Sequence, residues 1–398
     1  MSASVFSFNQ ENMKLIYITN SRLPSAKAHG HQIVKMCLEF AKQGVEVTLL
    51  WPTRKNPIQE DIFSYYQIEP NFIARQIKCF DFIRYDRYLK KISYFLQGLF
   101  FLSKLFFLKL DRQAIIYTRK PEIAWLFKHK GYRVVFESHD WFGQSRGLAL
   151  WLLQKVDGIV ATNNYLKQEF IKNSFDSEKI LVCPHGVDLN LFARPISREQ
   201  ALDKLGFKAE LVGKKILLYT GSFKTMNFSK GLEEILQALK LLNDPSIFFL
   251  AVGGSKENIV EYQAMAVSLG LARQASFLSP VNQEALGYYQ KAADLLLMPF
   301  PDQAHYRYFM TPLKMFEYLA ATRPIIASDL PSIKEILSEQ VCWFCQPGSA
   351  NSLAQQIRFV LDHEDEAQSK ARSARQLADN FSWPARAKRI INFLHTSR

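Results

Sequence analysis

Two Rossmann-like domains in tandem, each a doubly wound parallel sheet of the α/β class, are what this sequence predicts. Short β-branched or aromatic runs alternate with longer amphipathic stretches, the mark of βαβ units. The alternation stops at 184–195, a stretch with a proline at each end and a glycine, and then restarts. The chain has 398 residues, which at roughly 150 per domain leaves room for two or three domains.

Each element follows from local pattern. Residues 14–19 read as a strand and 32–42 as a helix, with Ile33, Met36, Cys37 and Phe40 at helical spacing and Gly44 as the stop. Strands follow at 45–51, 114–118, 133–136, 158–161 and 180–183. The second series has strands at 215–220, 247–252, 276–278, 295–298 and 325–327, with a helix at 230–242. Stretch 184–195 reads as the linker. The expected division is therefore a first domain over 1–193 and a second over 194–376. The segment 377–398 carries a last helix that crosses back to the first domain. Ligands of open parallel sheets gather at the carboxyl ends of strands, so two facing domains would enclose a cleft.

Composition narrows the class. The chain is 48% hydrophobic and 22% charged, with 17 Gly and 16 Pro, which excludes disordered and collagen-like chains. Five cysteines do not make a disulfide framework. Cys342 and Cys345 form a CxxC without a second pair for zinc, so they read as strand-core thiols, and a reducing cytoplasm fits. Residues 1–12 hold no basic residue and no long apolar core, unlike a signal peptide.

The net charge is +13, and one window holds most of it. Residues 75–133 carry 14 basic against 4 acidic residues, interleaved with 14 aromatics. The apolar centre, 92–108, is interrupted by Gln97 and Lys104 and is short for a bilayer span. It reads either as an interfacial membrane segment or as a buried helix with Leu99, Phe100, Leu102 and Phe106 in the core. On the first reading the protein is cytoplasmic and peripheral on the inner face of an anionic membrane.

The chemistry-bearing motifs lie at strand ends and helix starts. No GxGxxG, P-loop, HExxH, GxSxG or Asp-x-Asp is present. In Thr311-Pro312-Leu313-Lys314-Met315-Phe316-Glu317-Tyr318 the Thr suits an N-cap and the Pro a first helical position. Lys314 then sits in a first turn, where the macrodipole disfavours a cation unless an anion binds there. A second helix start repeats the conflict: after the strand ending at Gly221-Ser222, Ser229 can cap a helix that opens with Lys230-Gly231. Two such starts in one domain point to a diphosphate between them. In the first domain, Gly30 lets backbone approach a phosphate, or merely makes a tight turn. His139 follows a strand end, where it could serve a ligand or the core; its neighbour Asp140 need not be its partner.

With these motifs in view, the chain resembles the retaining glycosyltransferase family 4 from residue 14 to about 394. Pro184-His185-Gly186-Val187-Asp188 is similar to the family's linker motif, and Lys230-Gly231 to its phosphate contact. Gly253-Gly254, Ala293-Asp294 and the run from Thr311 to Ala320 are similar to its nucleotide-binding core, and Phe136-Glu137-Ser138-His139-Asp140 to its active-site strand end.

The resemblance implies the GT-B fold and transfer of a sugar from a nucleotide sugar to a hydroxyl with anomeric retention. It needs no metal and no cofactor beyond that substrate. It assigns Glu317 to the ribose, Lys230 to the diphosphate and His139 to the donor sugar. The donor site would comprise Gly30, Ser222, Lys224, Lys230, Gly254, Val281, Thr311, Leu313, Lys314 and Glu317. The acceptor would be a glycan or lipid-linked sugar of cell-envelope or exopolysaccharide synthesis. Three departures stand out. The first glutamate of the family's E-x7-E is Phe309, which bears on donor choice. Ser222 replaces a basic residue, with Lys224 near. Val45 replaces a histidine.

Two other classes compete. A nucleotide-sugar 2-epimerase shares this architecture but has no use for the basic aromatic window. A nucleic-acid-binding protein would use that window, yet no RNP, KH or zinc motif accompanies it, so no nucleic-acid partner is expected.

Overall fold

A computed structural model describes residues 13–396 apart from 26, 144, 208–210, 212, 226 and 227. The expectation that residues 1–12 are no leader lies outside the described residues. The chain divides into two compact units. Unit 1 comprises Met1–Thr162, Leu166–Cys183 and Arg386–Arg398; unit 2 comprises Asn163–Tyr165 and Pro184–Ala385.

Unit 1 is a seven-stranded parallel sheet. Its strands are β1 Lys14–Ile18, β2 Glu46–Pro52, β3 Ile73–Ile77, β4 Ile115–Thr118, β5 Arg133–Ser138, β6 Gly158–Ala161 and β7 Ile180–Val182. They lie in the order β3-β2-β1-β4-β5-β6-β7. Every residue of β4 and β6 is buried, because helices cover both faces of such a sheet and leave no alternation to read. β3 was not legible in the sequence: as an edge strand its Arg75 and Gln76 face solvent. The first helix is Ala28–Lys42. It opens four residues before the expected start, so Gly30 and His31 lie within it.

Unit 2 has β8 Lys215–Thr220, β11 Ile247–Val252, β12 Ala275–Leu278, β13 Leu295–Met298, β14 Ile325–Ser328 and β15 Trp343–Cys345 in one parallel sheet, ordered β12-β11-β8-β13-β14-β15. The short antiparallel pair β9 Lys224–Thr225 and β10 Phe228–Ser229 stands apart. Successive strand residues point to opposite faces, and the core divides accordingly. Ile216, Leu218, Leu296 and Met298 pack with residues of the helices Gln283–Ala292, Leu313–Ala320 and Glu364–Ala378. Leu217, Tyr219, Leu295 and Leu297 pack with those of Leu232–Leu242, Lys256–Ser268 and Ala350–Asp362. Each buried aliphatic or aromatic side chain contributes about 1.5–3 kcal/mol. Cys342 and Cys345 are both buried, and burial pushes each thiol up to about 12.

The stretch after β7 is structured. The Val187 amide donates to the Phe381 carbonyl at 2.8 Å, and Asp188 caps the short helix Leu189–Phe192 by accepting from the Asn190 amide. A Cβ at Gly186 would lie 2.4 Å from the Trp383 ring, so close packing requires the glycine. The helix Trp383–Thr396 enters unit 1 from Arg386 onward. There Phe393 packs on Gly158, and Arg133 donates to the Leu394 carbonyl.

Candidate active site

In unit 2 the polar cluster forms at the carboxyl end of β8. The strand stops because Gly221 turns to φ +104°, a conformation that side chains rarely adopt. Gly253 makes the matching turn after β11; a Cβ there would come 2.6 Å from the Gly221 carbonyl oxygen. Tyr219 donates its hydroxyl to the Ser222 carbonyl at 2.9 Å and so orders the turn.

The helix Leu313–Ala320 is pinned beside it. The Tyr318 hydroxyl accepts from the Thr220 amide at 2.9 Å. Pro312, not Thr311, is the N-cap. Thr311 lies one residue before it and accepts from the Asn163 amide group at 3.3 Å. Lys314 is in the first turn, as the sequence implied. Its Nζ lies 3.3 Å from the Tyr219 ring centroid and 5.4 Å from that of Phe300, and has no hydrogen-bond partner among the described residues. Burial, with Lys230 adding and Glu317 opposing, holds its ammonium well below the usual lysine range.

Lys230 lies outside its helix. That helix starts at Leu232 with Gly231 as N-cap at φ +93°, which corrects the expected start at Lys230. Ser229 is no N-cap: it ends β10, and its Oγ accepts from the Gly231 amide at 3.2 Å. Lys230 Nζ donates to Ser222 Oγ at 2.8 Å, and burial lowers its pKa to about 8. Glu317 accepts from Gln290 at 3.3 Å. Burial pushes its carboxyl up to about 7 against the pull of Lys314.

The structure thus brings Ser222, Lys230, Lys314 and Glu317 together around Gly221. It does not bring Lys224 there, which pairs with Glu261 at 2.5 Å. Gly254 is a packing requirement: the Phe223 ring sits 2.3 Å from where its Cβ would be. Leu313 is partly exposed at the helix start, and Val281 is half-buried in the loop before Gln283–Ala292. Two crowded ammonium groups by one carboxyl suit a bound anion, since a buried charge without a partner is costly.

In unit 1, His139 stands just beyond β5. Glu137 Oε1 lies 3.0 Å from its Nε2. Glu137 is fully buried. It accepts from Arg119 at 3.0 Å, from Tyr17 at 3.3 Å and from Arg386 at 2.5 Å. Arg119 also donates to Gln32 at 3.1 Å. Burial opposes the charge on Glu137, but Arg119 and Arg386, with a hydrogen bond from His139, overcome it and hold the carboxyl well below its ordinary value. Burial, helped by Arg119, lowers His139 to about 4, so its ring is neutral at pH 7. A glutamate in the apolar run Val134-Val135-Phe136-Glu137 was the available signal for this network; nothing local marked Arg386.

Gly30 is buried in its helix. Its amide donates to the Lys27 carbonyl at 3.0 Å, and a Cβ there would come 2.6 Å from the Tyr66 hydroxyl. Packing against Tyr66 therefore accounts for it.

Known proteins share this plan. The model of the glycosyl transferases group 1 family matches residues 203–377, and that of glycosyltransferase family 4 matches residues 30–191. TuaH of Bacillus subtilis, a glycosyltransferase named for teichuronic acid biosynthesis, is 28% identical over 191 residues, 47% of this chain and 44% of TuaH. The D-inositol 3-phosphate glycosyltransferase of Geodermatophilus obscurus is 28% identical over 242 residues, 58% of this chain and 51% of that protein. The chain spans about half the length of these curated relatives. Anabaena HepE, solved with UDP and glucose, superposes with a TM-score of 0.73 at 15% identity over 96% of this chain and 100% of HepE. Sucrose-phosphate synthase from Thermosynechococcus elongatus superposes at 0.76 and 18% over 96% and 98%. With both family models matched and both parallel sheets in place, the chain belongs to glycosyltransferase family 4 and has the GT-B fold.

Proposed function

We propose that the chain transfers a sugar from a nucleoside-diphosphate sugar to a hydroxyl of a glycan or lipid-linked acceptor, retaining the anomeric configuration. One observation carries the reading: the buried Lys314 ammonium, without a hydrogen bond among the described residues, beside Lys230 at the end of β8. A diphosphate supplies the negative charge this pair lacks. Family membership supports the reaction type, and HepE was solved with UDP and glucose.

The bond from the anomeric carbon to the diphosphate oxygen breaks, and the acceptor oxygen takes its place on the same face. The acceptor proton leaves with the diphosphate. Charge that develops on the departing diphosphate is met by Lys230 and Lys314, each worth roughly 2–4 kcal/mol of barrier if removed, by analogy with oxyanion donors. These ammonium groups supply the charge a divalent ion would otherwise bring, so the reaction runs without metal. Glu317 holds the ribose hydroxyls. His139, neutral and held by Glu137, offers sugar hydroxyls a hydrogen bond without adding charge.

A thermal-shift panel of nucleoside diphosphates and their sugars, followed by a transfer assay with and without EDTA, tests this. At least one diphosphate raises the melting temperature, and Lys230→Ala and Glu317→Ala abolish most transfer. Conversion of the nucleotide sugar without any acceptor, or full activity in either variant, would overturn it.

A further inference from the structure

Unit 1 gathers positive charge without ion pairs outside its basic aromatic window. Within that window the helix Lys91–Phe107 exposes Leu99 and Phe106 by 49% and 56%, contrary to the buried-helix reading. Among the described residues no helix is long and apolar enough to cross a membrane. The charge in question lies at the carboxyl edge of the sheet. β1 and β2 pair in parallel, so residues 19–22 and 53–56 leave the same edge, where ligands of open parallel sheets gather.

Two arginines reach across each other there. Arg54 Nη2 donates to Asn20 Oδ1 at 2.6 Å, and Arg22 Nη1 donates to the Lys55 carbonyl at 3.4 Å. The loops that carry them are tied down. Asn56 donates to the Pro24 carbonyl at 2.8 Å, and the Tyr66 hydroxyl accepts from the Ser25 amide and donates to the Ser25 carbonyl, both at 2.9 Å. Neither arginine forms an ion pair among the described residues. Asp81 acts on Arg54, but its two oxygens already accept from the Lys55 and Ile83 amides at 2.8 and 3.2 Å. Burial lowers the Arg54 pKa; Asp81 opposes this and Arg22 adds to it. The neighbouring part of the edge brings charge of the same sign: burial, with Arg119, Lys27 and Lys120, lowers His29 to about 4. A tie to Asn20 needs a donor but no charge. Arg54 spends one donor of its fork on that neutral oxygen, and its Nε is shut from water with no partner. Two guanidinium groups brought together without a counter-ion cost free energy that a bridging anion offsets. The fork matches the paired oxygens of a phosphate or a carboxylate.

We propose that Arg22 and Arg54 bind an anionic group, a phosphate or a carboxylate, carried by the acceptor. The anion site is built by unit 1 alone. That the anion belongs to the acceptor rests on the transferase reading, in which Lys230 and Lys314 hold the donor diphosphate.

Calorimetric titration of the full chain with glucose 6-phosphate, glucuronate and glucose tests this. At least one of the two anions binds about tenfold or more tighter than neutral glucose, and the tighter of the two tells phosphate from carboxylate. Arg54→Gln weakens that binding about tenfold and leaves the thermal shift given by UDP unchanged. Arg22→Gln does the same, and because Arg22 is exposed the fold does not depend on it. Lys230→Ala shows the reverse pattern, with the sugar anion bound and the UDP shift lost. Three results would overturn the proposal: equal affinity for glucose and both anions, anion binding that survives in both glutamine variants, or a UDP shift lost in them, which would give the arginines to the donor. Arginine-dependent anion binding with no UDP shift in wild type would instead count against the transferase reading and leave the anion site standing.

Discussion

Lys314 is held at a cost the fold alone does not offset. Its ammonium has a ring beneath it and no hydrogen bond among the described residues. A cation–π contact returns about 2 kcal/mol when desolvated, yet burial still wins. Lys314→Met keeps the volume and removes the charge. The variant is expected to be as stable as wild type or up to about 1 kcal/mol more so, while nucleoside-diphosphate affinity falls at least tenfold, by about 1.4 kcal/mol or more. Denaturant unfolding and calorimetric titration measure the two effects; a destabilised variant with unchanged affinity contradicts the anion site. Lys230 adds a pH dependence. Its pKa is lowered to about 8 by burial, and the diphosphate needs the ammonium. The Lys230 contribution to affinity is thus complete below about pH 8 and falls about tenfold per unit above it, whereas Lys230→Arg keeps its charge throughout. Affinity constant to about pH 10 in wild type speaks against the contact. In unit 1, Glu137→Ala leaves Arg119 and Arg386 buried against each other and costs about 3–5 kcal/mol. The sign of the acid response follows from His139, whose folded pKa is lowered to about 4. The unfolded ring takes a proton below about 6.5, so stability from this site is complete above that value. It declines as the pH drops towards 4, and Glu137 extends the loss at lower pH. A pH series of unfolding curves checks this.

At the scale of elements, periodicity located the helices and tertiary contacts placed their ends. Leu313–Ala320 was legible because Thr311 and Pro312 read as a helix start. Its start moved by one residue: Pro312 is the N-cap, and the Thr311 hydroxyl accepts from Asn163. Leu232–Leu242 was legible too, but its first residue depended on Gly231, which a sequence shows only as a glycine. A Cβ there would lie 1.8 Å from the Pro299 carbonyl oxygen, while Gly206, also at positive φ, has open space around it. Gly206→Ala is therefore expected to cost about 1 kcal/mol, the backbone penalty alone. Gly231→Ala is expected to exceed about 2 kcal/mol because Pro299 must move as well. Equal costs would mean that the contact relaxes freely. β3 escaped notice for the reverse reason: an exposed edge strand needs no apolar alternation.

Across the whole molecule, the helix Trp383–Thr396 completes unit 1 from the far end of the chain. Arg386 meets Glu137, Phe393 meets Gly158, and Leu394 is fully buried. Deleting residues 386–398 is expected to lower the melting of unit 1 by about 10 °C or more, leaving the diphosphate-dependent shift of unit 2 in place. Scanning calorimetry with and without UDP reads both; an unchanged thermogram would show that the helix contributes nothing. Alternation of strands and helices, the restart that marks a second sheet, and the basic aromatic window are local patterns, and the sequence by itself determined them. So were the lysine and glutamate at the helix start, since three residues of spacing place them on one face whatever surrounds them. Other features depended on residues far apart in the chain. Glu137 gained partners 18 and 249 positions away, Lys314 became an ammonium over a ring, and Leu99 faced outward while Gln97 faced inward. Only packing decides which groups lose water together, and that loss of water sets both the charge states at the site and the apolar surface left exposed.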